Sequence, residues 1–248
     1  MKPISLIFAL IFLTLNAKGQ YPFEKYPAIK YREYKNWKFY DKTEKENKFH
    51  CTLTIPKFFD NQDNLTIRIT TFGYSEGAFI RIYHNKKLLQ KNSEPMFFND
   101  LNIDNQSIRV ADINGDSLKD IKIIAWYMGN GLAGLFGRTI YLFQNKEGHF
   151  TKVSFTNIAG NEVLERDFDG DGNYEIITMT LKGYGGHNYW LFNLFNYLNG
   201  DLVNVNSKDN YPIMIQYLNR DNYQITKKIS RSKMKAFTMK LPEGYDKK

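Results

Sequence analysis

The chain carries one cysteine, Cys51, among 248 residues, so no intramolecular disulfide can form and stability must come from core packing and from metal. Cys51 sits in an alternating stretch with Phe49, Leu53 and Ile55 on its own face, and it reads as a buried thiol rather than a nucleophile. Alanine is scarce while aromatic residues reach 16%, a balance that favours strands. No Gly-x-Ser-x-Gly elbow, phosphate-binding loop or His-Glu-x-x-His pair occurs, and His50, His84, His149 and His187 lack metal-ligand spacing. These absences point away from an enzyme. Long apolar runs are missing too. The stretch Ile4 to Leu15 is too short to span a bilayer. With Lys2 before it and Ala17-x-Gly19 after it, residues 1–19 read as a signal peptide. The mature chain is then expected to begin near Gln20, secreted or periplasmic, with no transmembrane segment left.

Carboxylates are scarce in one region. The formal charge is +8, and Thr226 to Lys248 holds eight basic residues against Glu243 and Asp246. Residues 230–248 read as a basic, solvated C-terminal tail, with attachment to an anionic cell surface as the alternative. No nucleic-acid motif accompanies the charge, so no nucleic-acid partner is expected. Within the tail, Met234, Phe237 and Leu241 fall at helical spacing and predict a short helix over Ser230 to Leu241.

What the chain does have is a repeat. Asp112-Ile113-Asn114-Gly115-Asp116-Ser117-Leu118-Lys119-Asp120 matches Asp167-Phe168-Asp169-Gly170-Asp171-Gly172-Asn173-Tyr174-Glu175. Each nonapeptide leads into a β-rich run, a glycine-bearing loop and a second aromatic strand. An earlier copy around Phe58 to Thr66 keeps the order of features but has lost the acids, with Phe58, Gln62 and Thr66 where carboxylates would stand. Three repeats follow, at about 57–110, 111–165 and 166–229. Residues 20–56 read as a separate N-terminal hairpin, Tyr31 to Tyr40 paired with Lys48 to Ile55.

Ca²⁺ takes six to eight oxygens, and alternate positions of a tight loop can aim side-chain oxygens at one centre. The first loop offers Asp112, Asn114, Asp116, the Leu118 carbonyl and Asp120. The second offers Asp167, Asp169, Asp171, the Asn173 carbonyl and Glu175, and its extra carboxylate predicts the tighter of two Ca²⁺ sites. An EF-hand would need a closing Glu at position 12, where Ile123 and Thr178 stand, and a strand follows each loop instead of a helix.

Acids at positions 1, 3, 5 and 9 before a β-run, recurring every 50 to 60 residues, resemble the FG-GAP/VCBS repeat family, whose calcium loops occur in integrin α-subunit propellers. The resemblance covers roughly residues 57–200. It implies one blade of antiparallel strands per repeat, with Ca²⁺ bound between two strands. Ser117 departs from it, standing where the family usually has glycine. With three repeats visible, the expected fold is all-β, an antiparallel assembly resembling a small or incomplete β-propeller with a short C-terminal helix.

Loops at matching offsets in the repeats carry Phe72, Tyr74, Trp126, Tyr127, Tyr184 and His187, a candidate ligand face, with core packing the competing role for Trp126 and Tyr127. The expected function is a non-enzymatic binding or adhesion module whose Asp-rich loops are made rigid by Ca²⁺, its partner a protein or glycan ligand of the cell envelope. Inhibition of a lysozyme-like cell-wall hydrolase is the alternative, and a calcium-assisted secreted hydrolase a third.

Overall fold

The computed structural model describes residues 20–43, 48–71, 77–95, 107–126, 131–158 and 163–248; the expected signal peptide lies outside them. Three short strands come first, β1 (Arg32–Tyr34), β2 (Lys38–Thr43) and β3 (Lys48–Ile55). The earliest repeat supplies β4 (Leu65–Thr71), β5 (Ala78–His84) and β6 (Lys87–Glu94). After β7 (Ile108–Ala111), the next supplies β8 (Asp120–Trp126), β9 (Phe136–Gln144) and β10 (Phe150–Ile158). The last supplies β11 (Ile176–Tyr184), β12 (His187–Leu198) and β13 (Asp201–Asn204), followed by β14 (Ile213–Gln216), helix α1 (Arg231–Met234) and β15 (Asp246–Lys247).

The protein is all-β apart from its short helical segments, and none of its sheets closes into a barrel. The first sheet runs β2-β3-β4-β5-β6 and the middle sheet β1-β7-β8-β9-β10-β15. The third runs β11-β12-β13, with β14 also paired to β12. Each repeat thus donates three consecutive strands to its own sheet. Consecutive strands are neighbours because tight turns join them. Asn85–Lys86, Gly185–Gly186 and Asn199–Gly200 each place two successive residues at positive φ, the turn whose twist matches an antiparallel ribbon.

Side-chain alternation then stacks the sheets. On the middle sheet, Ile121, Ile123, Ile140 and Leu142 face the first sheet and meet Leu53, Ile67 and Ile80. Their neighbours Tyr141, Phe143, Val153 and Phe155 face the other way, against Ile176, Phe195 and Leu202 of the third sheet. A sheet covered on both faces loses the polar-out alternation of a surface sheet, and β8 is accordingly buried along nearly its whole length. Each interface also holds a buried ionic cluster. Between the first two sheets, Glu94 receives Arg138 Nε at 2.7 Å and Lys152 Nζ at 2.9 Å. Beside the third, Glu165 receives Lys122 Nζ at 2.6 Å and the hydroxyls of Tyr31 and Tyr141.

Two terminal segments differ from the sequence reading. Residues 20–56 are not a separate hairpin. β2 and β3 pair as expected, but β1 crosses to pair with β7, Ala28 bridges Arg166, and Phe23 is buried against the third sheet. Edge strands seek partners, and the free edge of β7 is the partner that β1 finds. The basic tail also docks. Ile229 and Met234 pack with Tyr189, Leu191 and Met214, and β15 adds to the edge of β10. The helix is shorter than expected. Ser230 caps α1, a 3-10 turn covers Lys235–Phe237, and Thr238 leaves in an extended conformation. There the Met239 amide donates to Asn193 Oδ1 at 3.0 Å, and Leu241 is left exposed.

Candidate metal centre

The two acidic nonapeptides adopt the same backbone. Positions 4 and 6 have positive φ in both, Gly115 and Ser117 in the first, Gly170 and Gly172 in the second. Ser117 therefore takes a conformation in which glycine would be unstrained. The position-1 carboxylate accepts the position-4 amide, Gly115 to Asp112 at 2.8 Å and Gly170 to Asp167 at 2.7 Å. The position-5 carboxylate accepts the position-7 amide, Leu118 to Asp116 and Asn173 to Asp171, both at 2.8 Å. The position-9 carboxylate closes the loop by accepting the position-2 amide, Ile113 to Asp120 and Phe168 to Glu175, both at 2.9 Å.

Position 9 is also where the loops part. Asp120 is fully buried, and its second oxygen accepts the Gln144 amide of β9 at 2.9 Å. Burial pushes its carboxyl up to about 7, against the pull of those two amides, and Asp116 and Asp112 add like charge. Glu175 is one methylene longer and equally hidden at 1% exposure, yet its Oε1 has no hydrogen-bond partner. Burial raises this carboxyl as well, opposed by the Phe168 amide and by Asn196, which lies near without meeting hydrogen-bond geometry. One carboxylate oxygen from each of Asp167, Asp169 and Glu175 lies within 4.8 Å of the others. Among the described residues this is the one group of three acidic or thiol and imidazole side chains so arranged. Asp112, Asp116 and Asp120 are not brought together in that way. Asn114 instead donates to Asp116 at 3.1 Å. Asp171 turns one oxygen to its own loop, and the buried Asn173 Oδ1 is a second orphan oxygen of the second loop.

The fit to a hard cation rests on those orphans. A buried carboxylate oxygen with no donor costs free energy that a cation or a proton would recover. Three convergent carboxylates with no thiolate or imidazole suit Ca²⁺ better than zinc.

The loops also touch one another. The Tyr174 amide donates to Ile113 O at 2.9 Å, and Lys119 Nζ reaches the carbonyls of Lys57 and Phe58 in the acid-free copy. Position 8 of each loop thus grips the loop before it. A Cβ on Gly115 would meet Gly172 O at 2.9 Å, at a backbone conformation of positive φ. Gly115→Ala should therefore destabilise the protein by about 1–3 kcal/mol, read as a lower denaturant midpoint with an unchanged slope. A midpoint equal to wild type would show that the loops do not press together.

Two residues of the site carry no sequence signal. Lys208 and Asp209 lie between β13 and β14, some forty positions after Asp169. Lys208 Nζ is 3.4 Å from Asp169 Oδ2. Burial raises the Asp209 carboxyl, and the nearby Asp169 charge raises it further.

The candidate ligand face is only partly assembled. Phe72, Tyr74 and Tyr127 lie outside the described residues. Tyr184 and His187 face each other across the exposed β11–β12 turn, whereas Trp126 is half-buried at the end of β8 in another sheet. A different cavity, of about 460 Å³, opens beside the third sheet and is lined by Tyr21, Trp190, Tyr217, Tyr223, Arg166 and Asn219 among others. Arg166 donates from Nη1 to Glu24 O and Tyr26 O, and its buried Nε has no partner. Among the described residues no helix is long and apolar enough to cross a membrane. Comparison with known proteins returned no matching family model, no matching curated protein and no matching solved structure.

Proposed function

We propose that the protein is an exported, non-enzymatic binding module of the FG-GAP/VCBS repeat type, in which Ca²⁺ clips the second acidic loop. The observation that carries this reading is the convergence of one carboxylate oxygen each from Asp167, Asp169 and Glu175 within 4.8 Å, with Glu175 Oε1 buried and unpartnered. Asp171 and the Asn173 carbonyl complete the expected oxygen set, and the ion's role is structural, holding the β11 entry in place. The proposal centres on the second loop, because both Asp120 oxygens already accept backbone amides in the first. A binding role is supported by the aromatic cavity, whose rings suit a protein or glycan ligand of the cell envelope.

Calorimetric titration with Ca²⁺ tests the reading. Wild type should show a tight site that Glu175→Ala loses. Lys208→Ala should bind several-fold more tightly, since the ammonium competes for Asp169; its half-exposed position keeps the effect modest. Absence of calcium heat in wild type, or binding untouched by Glu175→Ala, would overturn the assignment.

A further inference from the structure

The β11–β12 hairpin projects from the third sheet, and residues 182–188 at its tip are all exposed. The C-terminal segment lies alongside it. Lys228 Nζ is 3.2 Å from His187 Nε2, Lys233 Nζ sits 5.8 Å from the Tyr184 ring, and Lys182 Nζ sits 5.8 Å from the Phe237 ring. Tyr184 and Phe237 themselves pack edge to face at 5.5 Å. Two stretches distant in sequence therefore build one surface, and neither brings a carboxylate to it. No Asp or Glu occurs from Ile176 to Gly200 or from Asn222 to Pro242. Lys227, Lys235 and Lys240 are exposed on the same segment. Among the described residues, none of these six lysines forms an ion pair with a carboxylate.

Unpaired lysines elsewhere on a basic protein would need no explanation. Here Lys233 and Lys182 flank an aromatic pair, Tyr184 at 38% exposure packed edge to face on the half-buried Phe237. A flat polyanion would use only the charge. An aromatic pair flanked by lysines is suited to the headgroup layer of a bilayer, where the exposed ring enters the interface and the ammonium groups meet phosphate. Lysine stems can lie along the apolar boundary while their heads remain hydrated.

We infer that the surface formed by the β11–β12 hairpin tip and the α1 segment docks on an anionic phospholipid membrane. This contact is peripheral and electrostatic, and it is separate from the calcium loop. Each lysine near an anionic leaflet strengthens partitioning by about fivefold at moderate salt. Salt screens the attraction over a Debye length of about 10 Å at 0.1 M.

Cosedimentation with vesicles of phosphatidylglycerol and phosphatidylcholine, in EDTA, tests the inference without involving calcium. Binding is expected at 0.1 M NaCl and should be lost at 0.5 M, with pure phosphatidylcholine vesicles bound at least tenfold more weakly. The variant Lys182→Glu/Lys228→Glu/Lys233→Glu should lose at least a hundredfold in affinity, and the milder Lys228→Gln/Lys233→Gln about tenfold or more. Melting curves matching wild type confirm that both remain folded. Reversal of Lys86 and Lys87, on the far β5–β6 turn, should change affinity by no more than about fivefold. Equal binding to neutral vesicles, or wild-type binding by both folded variants, would overturn the docking surface. So would capture of soluble heparin with no preference for anionic vesicles, which would assign the charge to a polyanionic glycan instead.

Discussion

Ca²⁺ at about a hundredfold excess over its dissociation constant should stabilise the protein by about 2.7 kcal/mol, raising the melting midpoint by about 5–10 °C for a chain of this size. The gain arises because the folded loop presents Asp167, Asp169 and Glu175 together, within 4.8 Å, whereas the unfolded chain does not. Mg²⁺ should give a much smaller shift, since it requires near-octahedral geometry at shorter distances and holds its water tightly. EDTA should return the midpoint to its starting value. Asp169→Ala should abolish the calcium shift while leaving the ion-free midpoint close to wild type, because Asp169 is exposed and its ion pair is with the exposed Lys208. A calcium shift that survives in Asp169→Ala, or one matched by Mg²⁺, would remove the second loop as the site.

Loss of Glu165 should be the most damaging single substitution at the interface of the second and third sheets. Its carboxylate is 2% exposed and receives Lys122, Tyr31 and Tyr141. Glu165→Ala leaves the Lys122 ammonium, itself only 3% exposed, without a counter-charge. Breaking a buried pair from one side costs about 3–5 kcal/mol, so the midpoint should fall by about 6–20 °C. Adding Lys122→Met should restore part of the loss, since an apolar side chain carries no charge to strand. If the double variant is no better than the single, loss of packing rather than a stranded charge is responsible.

The same group sets a pH dependence. Burial pushes the Glu165 carboxyl up, but Lys122 and the hydrogen bonds from Lys122, Tyr141 and Tyr31 outweigh it and hold it below the ordinary value of 4.5. A carboxyl whose folded pKa is depressed stabilises the fold above its unfolded pKa, and that stability is lost as pH falls through the folded pKa. Wild type should therefore lose stability on acidification below about pH 4.5, and Glu165→Ala should show a shallower decline over that window.

How much was legible in the sequence follows from the range of the forces involved. The nonapeptide spacing set both loop conformations, because the carboxylates at positions 1, 5 and 9 each bond an amide within seven positions. Asn199–Gly200 marked its hairpin for the same local reason. Position 9 was harder to read. Asp120 and Glu175 look equivalent in the repeat, and the difference between them is a β9 amide that reaches one and not the other. Lys208 beside Asp169 left no trace in any motif.

The amino-acid order alone determined that the chain is built of β-repeats with oxygen-rich turns, since alternation and turn chemistry act over a few residues. Only the tertiary structure decided which charges are buried. Glu94, Arg138 and Lys152 are buried only because two sheets close over them. It also decided that β1 and the terminal β15 belong to the middle sheet, because an exposed strand edge accepts whichever segment the packed core brings to it.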